Sequence, residues 1–498
     1  MALTATHVTA RPVFLILLAS FSMFPYNMPQ NCKVFQSPSH SIKENSMKRT
    51  YLFLLLAVLM GFCTSFSQLR VPFERFTLPN GLEVILHEDH SIPVATCNIW
   101  YHVGSSREKP GRTGFAHLFE HLMFEGSKNV PEGKFDEWLE AAGGDNNAST
   151  SEDRTNYYQN FPTSAMELAF FLDSDRLGYL PDAMTPAVVD GQRSVVKNER
   201  RQSVENRPYG MAYIIISENL FPPDHPYHWP VIGSQEDLSL ATYEDVLEFF
   251  KKYYVPKNAS LVVGGDIDPI KTKELVTKWF GEIPAGEPVP PLATPSAYVK
   301  ETKRLVHEDK VQLPRLYMNW ITPKHFAPGD AELDILANIL SSGKNSRLYK
   351  RLVYDLQIAQ DVTAYQGSAN LISTFSIIIT ARSGYSLAEI EKIVWEELKK
   401  ITGESPSRRE VERVVNQYEA QFLSRLERVG GFGGKADLLN AYFAETGNPD
   451  YFNEDLGRYK LISPGDVQEV TRTFIRPDNA VILSVVPLGK KDLAAPQQ

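Results

Sequence analysis

Cysteine is almost absent from this chain, and that removes a whole class of scaffold. Three cysteines occur in 498 residues, and two of them, Cys32 and Cys63, fall in a leader-like stretch. Cys97 is left alone, so no intrachain disulfide framework is expected. Basic charge is also short: 51 Lys and Arg face 60 Asp and Glu, a net charge of −9, which argues against nucleic acid as a partner. Long apolar runs are missing too. Val13 to Phe24 and Tyr51 to Phe62 span 12 residues each, short of the roughly 20 a helix needs to cross a bilayer, so no stable membrane span is expected. With 43% hydrophobic residues, a chain of this length can bury several cores, and length alone points to roughly two to four domains.

Residues 1–67 read as a leader and signal peptide. Met47-Lys48-Arg49-Thr50 is a basic start, Tyr51 to Phe62 is its apolar run, and Ser65-Phe66-Ser67 offers small residues for cleavage before Gln68. Met47 is the expected true start, since a second apolar run ahead of a complete signal has no other use. Phe62 stands before Cys63 where a lipoprotein signal wants a small residue. The expected product is therefore cleaved, not lipidated, and exported to a periplasm or secreted. The leader carries five basic residues and one acidic, which leaves the mature chain at −13.

What is present is concentrated in His117-Leu118-Phe119-Glu120-His121. On a helix, residues four apart share a face, so His117 and His121 can offer imidazole nitrogens to one ion, with Glu120 beside them. Catalytic zinc takes three protein ligands and keeps a fourth position for water, whose pKa it lowers toward ~7. The pattern is the inverted zinc-peptidase order H-x-x-E-H, with His117 and His121 as ligands and Glu120 as general base and later proton donor. Thr113 is the expected cap of this helix and Gly126 its stop. Phe115, Leu118, Phe119, Leu122 and Met123 give it an apolar surface.

A third ligand is still needed. Thr185-Pro186 reads as a cap followed by proline at the first helical position, and the helix must stop before Pro208. Val188, Gln192, Val195 and Glu199 follow at spacings of four, three and four, which puts Glu199 on the stripe expected to face the core. A carboxylate there needs a cation. A salt bridge to Arg200 or Arg201 is the plain alternative, and Glu205, near the helix end, is the rival ligand.

These residues resemble the insulinase and pitrilysin family of inverted-zincin metallopeptidases. The likeness rests on Gly114 to His121, on Gly143-Gly144-Asp145-Asn146-Asn147-Ala148-Ser149-Thr150 running into Thr155-Asn156-Tyr157-Tyr158, and on Val196 to Arg201. Glu199 follows His121 by 78 positions, within the family's range for its third ligand. The resemblance implies an endopeptidase with one Zn2+ per chain, enclosing peptides or small unfolded polypeptides in a chamber between bowl-shaped halves. It also implies that Asn147 and Ala148 lie on an edge strand whose backbone pairs with substrate.

An internal repeat sets the architecture. Asp245-Val246, Pro256 and Asn258-Ala259 recur at Asp466-Val467, Pro477 and Asn479-Ala480, displaced by 221 positions. The expected fold is α+β: two homologous α/β halves, each a mainly antiparallel sheet packed with helices. The boundaries are 68–284 for the zinc-binding domain, 285–296 for a Pro-rich linker, 297–490 for a metal-free second domain and 491–498 for a tail. The same displacement carries His117, Glu120 and His121 onto Asn338, Ser341 and Ser342, which form no ligand set.

Active relatives commonly supply an Arg and a Tyr seven apart from the metal-free half, after a segment like Ser346-Arg347-Leu348-Tyr349. Here that register holds Val353 and Gln360, neither of which donates as Arg and Tyr do. Arg347 and Tyr354 have the spacing in the wrong register, and Tyr365 is a looser candidate. The resemblance therefore implies a heterodimer with a sister subunit that supplies the missing pair, with a homodimer as the alternative. Gly430-Gly431-Phe432-Gly433-Gly434 lacks the Lys-Ser or Lys-Thr of a phosphate loop and is expected to be a flexible connection between helices.

Overall fold

The computed structural model describes residues 68–497, Thr294 excepted; the expected leader, start and cleavage site lie outside the described residues. Six strands form the first sheet: β1 (Glu74–Thr77), β2 (Glu83–Glu88), β3 (Val94–Tyr101), β4 (Asp145–Thr150), β5 (Thr155–Pro162) and β6 (Ala259–Gly265). Their order is β1-β2-β6-β3-β5-β4, antiparallel throughout except for the β2–β6 pair. The second sheet holds β7 (Lys303–Asp309), β8 (Arg315–Thr322), β9 (Ala359–Gly367), β10 (Ser373–Ala381) and β11 (Val481–Pro487) in the order β7-β11-β8-β10-β9. Only β7–β11 is parallel there. Strand for strand, the five of the second sheet repeat the last five positions of the first, as the sequence repeat requires, and the architecture is α+β.

The helices repeat as well. The first half carries α1 (Phe115–Leu122), α2 (Lys134–Ala141), α3 (Met166–Ala183), α4 (Pro186–Arg200), α5 (Ala212–Leu220), α6 (Gln235–Leu240), α7 (Tyr243–Tyr253) and α8 (Pro269–Phe280). The second carries α9 (Asp330–Ser341), α10 (Leu387–Gly403), α11 (Arg408–Arg425), α12 (Lys435–Thr446), α13 (Phe452–Lys460) and α14 (Pro464–Phe474). Helices α1 and α9 each start at a glycine with positive φ, Gly114 at 93° and Gly329 at 100°. Aligning those glycines places Glu332, Ile335 and Leu336 where α1 has His117, Glu120 and His121. The uniform displacement had pointed to Asn338, Ser341 and Ser342; the local register differs because connections in the two halves differ in length. Neither alignment gives a ligand set.

Strand alternation places Cys97, Ile99 and Tyr101 of β3 in the first core with Phe119, Tyr157 and Phe170. That core also encloses Arg176, which bonds Asp173 at 2.5 Å and lies over the rings of Phe135 and Tyr157 at 4.6 and 4.5 Å. A cation so deeply buried is tolerated because its charge is paired and its planar face is stacked. The opposite face of β3, with Asn98 and Trp100, is covered from the other half. Helix α12 packs on β2, β3 and β6, while α5 packs on β8 and β11, so each half lends one helix to the other's sheet. Asn440 of α12 fixes this contact: its Nδ2 donates to the backbone oxygens of Asn98 at 3.0 Å and Ser260 at 3.2 Å. Asp437, one turn earlier, accepts from Trp100 Nε1 at 3.0 Å and from Asn156 Nδ2 at 3.1 Å. The Gly430–Gly434 segment joins α11 to α12, the connection between helices that the glycines led one to expect, and it lies against the same sheet.

Candidate metal centre and active site

Helix α1 brings the motif to the sheet. Its first residues are capped from outside, because the Glu108 carboxylate accepts the Gly114 and Ala116 N–H groups, both at 2.9 Å. The expected cap, Thr113, is used elsewhere: its hydroxyl donates to Asp237 at 2.6 Å. Only glycine suits position 114, since a Cβ there would stand 2.9 Å from Ile232 O on a backbone already at positive φ. The helix ends at Leu122, ahead of the expected stop at Gly126, and its inward face buries Leu118, Phe119 and Leu122.

Helix α4 starts as the sequence indicates, with the Thr185 side chain accepting from Val188 N and Pro186 at the first position. The face assignment differs. Val189, Val196 and Arg200 form the buried stripe, whereas Val195 is exposed and Glu199 is half-buried at the border. The border position is what lets Glu199 reach α1. Its Oε2 lies 3.3 Å from His121 Nε2 and 3.7 Å from His117 Nε2, and one donor atom from each of the three residues falls within 4.8 Å of the others. The rival, Glu205, is held by Arg200 at 3.0 Å, and Arg201 bonds Asn198, so the plain salt-bridge alternatives for Glu199 are not formed. No other group of three potential ligands occurs among the described residues.

Burial, reinforced by the neighbouring His121, lowers the pKa of His117 to about 4. It is a neutral imidazole near pH 7, the form that binds a metal. Its Nδ1 is buried without a hydrogen-bond partner, which leaves interaction at Nε2 to hold the ring. Two imidazoles and one carboxylate converging with an open side fit a catalytic zinc ion. Glu120 stands on the same helix; burial raises its pKa, opposed first by a hydrogen bond from Thr150, whose hydroxyl donates to Glu120 Oε2 at 2.6 Å.

Thr150 ends β4, the outer strand of the first sheet. Asn147 and Ala148 lie on this edge as expected, opposite Tyr158 and Tyr157. The Ala148 N–H donates to the Asn147 side chain at 2.8 Å. Ala148 and Thr150 share the face of β4 that meets α1, and the exposed Asn147 lies on the other. Thr150 escaped the sequence reading although period two along the strand, counted from Ala148, would have found it. The β4–β5 turn is tied to the second half: Asp153 accepts from Asn370 N at 3.0 Å and from the OH of Tyr227 at 2.7 Å, and that OH accepts from Leu371 N at 3.0 Å. Beside it, a cavity of about 470 Å³ is lined by Trp100, His102 and Arg154 from the first half and His325 and Glu445 from the second.

None of the substitutes considered for the Arg and Tyr pair is hydrogen-bonded to His117, Glu120, His121 or Glu199. Arg347 is engaged by Glu410 through two hydrogen bonds of 2.8 and 3.0 Å, and Tyr354 is exposed. Val353 packs against the second core, while Gln360 and Tyr365 are exposed on β9.

Residues 83–213 match the family model described as insulinase, peptidase family M16, and residues 241–418 match the one described as peptidase M16 inactive domain. The zinc protease PqqE of Helicobacter pylori is 30% identical over 410 residues, covering 80% of this chain and 90% of its own. The chain belongs to the insulinase family. A solved protease structure from Helicobacter pylori superposes with a TM-score of 0.76 at 26% identity, covering 84% of this chain and all of that one. The periplasmic protease PqqL of Escherichia coli shares the fold at a TM-score of 0.68 and 19% identity, and there the match covers 84% of this insulinase-family chain but 48% of PqqL. At family level the chain is a metalloprotease-type hydrolase. The match of its later part to an inactive-domain model agrees with the ligand set lying in the first half. Among the described residues no helix is long and apolar enough to cross a membrane.

Proposed function

We propose that this chain is a zinc-dependent endopeptidase that hydrolyses peptides or small unfolded polypeptides, with His117, His121 and Glu199 as ligands and Glu120 as general base. The observation that carries the reading is the convergence of the two Nε2 atoms on Glu199 with Glu120 on the same helix, oriented by Thr150. Zinc, when bound there, lowers the pKa of a coordinated water and polarises a carbonyl as a Lewis acid. Glu120 takes a proton from the attacking water as its oxygen bonds to the scissile carbonyl carbon, then delivers that proton to the departing amine nitrogen as the C–N bond breaks. Edge strand β4 holds the peptide in extended form, with the backbone at Asn147 and Ala148 pairing with it and the Asn147 side chain yielding the Ala148 N–H.

The enclosing chamber requires a second chain in this reading. Val353 and Gln360 stand where relatives carry an Arg and a Tyr, and the fold accounts for 48% of PqqL. A sister subunit that supplies the pair in a heterodimer is favoured, with a homodimer as the alternative. Export to a periplasm or beyond rests on the signal-like sequence before Gln68.

Hydrolysis of a quenched fluorescent peptide by the zinc-loaded mature chain, alone and with its co-purifying partner, tests the reading against Glu120→Gln. Cleavage lost in Glu120→Gln is the expected result. A preparation that binds zinc yet cleaves nothing with or without a partner overturns it.

A further inference from the structure

The glycine-rich segment before α12 lies against the strand next to the edge. Its chain path is fixed by three features. A Cβ at Gly430 would collide with the side chains of Asn160 and Thr96 on the first sheet. Gly431 and Gly433 have φ of 76° and 70°, where L side chains are strained. The Gly433 N–H donates to Asp437 at 2.8 Å. The outcome of this construction is the placement of one side chain: the Phe432 ring meets the Tyr158 ring edge-on, with centroids 4.9 Å apart at 89°. Phe432 nonetheless keeps 37% of its surface in solvent. Four glycines thus carry a half-exposed aromatic from the second half onto the first sheet.

Tyr158 is the register partner of Asn147 on β4, and β4 is the strand with a free edge beside Glu120. A peptide added to that edge turns its side chains alternately to the two faces of the sheet. Those on one face meet α1 and Glu120. Those on the other pass over the exposed Asn147 toward Tyr158 and Phe432. Strands lie about 4.8 Å apart, so the added strand and β5 are about two spacings distant, and only a long side chain leaning across Asn147 reaches the ring pair.

We propose that Phe432 and Tyr158 form an aromatic subsite for extended peptides, selecting a long aromatic or aliphatic residue at one position on the sheet face remote from Glu120. The inference rests on the peptidase reading for its occupant. It adds a specificity-determining residue from the half that lacks the metal ligands, so the second half selects while the first cleaves.

Equilibrium binding separates this from turnover. The full mature chain, zinc-loaded and carrying Glu120→Gln, is titrated with fluorescein-labelled ten-residue peptides that differ only in holding Phe or Ala at successive positions. At one position Phe is expected to bind about tenfold tighter than Ala, the scale of burying one aromatic against a ring pair. Adding Phe432→Ala is expected to bring that ratio to about one, and Phe432→Trp to preserve it with a shift in tryptophan emission on binding. Thermal midpoints of both variants confirm folding. A parent that never distinguishes Phe from Ala, or a ratio unchanged in folded Phe432→Ala, overturns the proposal. Failure of hydrolysis with Glu120 intact would instead count against the peptidase reading and leave the binding ratio standing.

Discussion

The Thr150 hydroxyl donates to Glu120 Oε2 at 2.6 Å, joining the end of the edge strand to the residue assigned as general base. In the proposed reading, a substrate held on β4 and the base that acts on it are placed by the same short segment.

Removing that hydroxyl without changing shape should cost turnover and spare binding. Thr150→Val is expected to lower kcat about tenfold or more, the value of one hydrogen bond to a carboxylate, with KM within about twofold because the strand backbone is intact. Thr150→Ser should restore most of kcat. Steady-state kinetics on one peptide with the three proteins decides it; a rise in KM with kcat unchanged would show that Thr150 acts only through the strand.

Metal content tests the ligand set without reference to activity. Wild type should retain about one zinc per chain after dialysis, while His121→Ala and Glu199→Gln should retain little. Glu205→Gln should match wild type because Glu205 is occupied by Arg200. Zinc should raise the thermal midpoint of wild type and leave that of the ligand variants unmoved, since a ligand stabilises only a state that binds it. Retained zinc in Glu199→Gln would move the third ligand elsewhere.

Acid stability should depend on Arg347. Burial raises the pKa of Glu410, but the Arg347 guanidinium and the Ser407 N–H and hydroxyl outweigh it and hold the group at about 2. The folded-state value lies below the unfolded value near 4.5, so the pair stabilises the fold above about pH 4.5 and loses its effect as pH falls toward 2. After discounting for solvent contact, about 1–2 kcal/mol is at stake. Urea melts of Arg347→Ala should show that deficit at pH 7 and converge with wild type near pH 2. Undiminished stability with a large rise in KM would return Arg347 to the substrate site.

Asn440 should matter to the whole chain. Asn440→Leu leaves the buried Ser260 hydroxyl without its acceptor and removes the donor shared by the Asn98 and Ser260 carbonyls, with an expected cost of about 2–4 kcal/mol. Because α5 and α12 are exchanged, calorimetry should show one transition for residues 68–498 in both proteins. Two separated transitions in wild type would contradict the interlocking.

The grouping of His117, His121 and Glu199 was legible in large part because His117 and His121 sit at helical spacing, and spacing survives folding. His117, Glu120 and His121 needed only one turn of helix. Glu199 was found through a stripe that proved to be displaced by one residue: Val189 and Val196 are the buried positions, and Glu199 reaches the histidines because it lies at the border of that stripe. The Glu108 cap was not legible, since a carboxylate six residues upstream of Gly114 finds its N–H only after the intervening turn has formed. Nor was the helix exchange. Amphipathic patterning shows that α5 and α12 need partners but not which sheet provides them, and the segments that meet, Asn440 and Asn98, are 342 positions apart. Thr150 lay inside a segment already singled out and was missed because the strand's two faces were not followed to its end.

The exchange of α5 and α12 also bears on how such a chain can have arisen. A half of this kind standing alone would leave one face of its sheet bare and one helix without a floor. Two identical halves would cure both defects in each other by the same mutual loan, which is the self-complementary contact of a twofold dimer. Fusing the two genes end to end keeps every contact and removes the dependence on concentration. It also frees one copy to lose its chemistry while its lent helix and the Phe432 loop continue to serve the other.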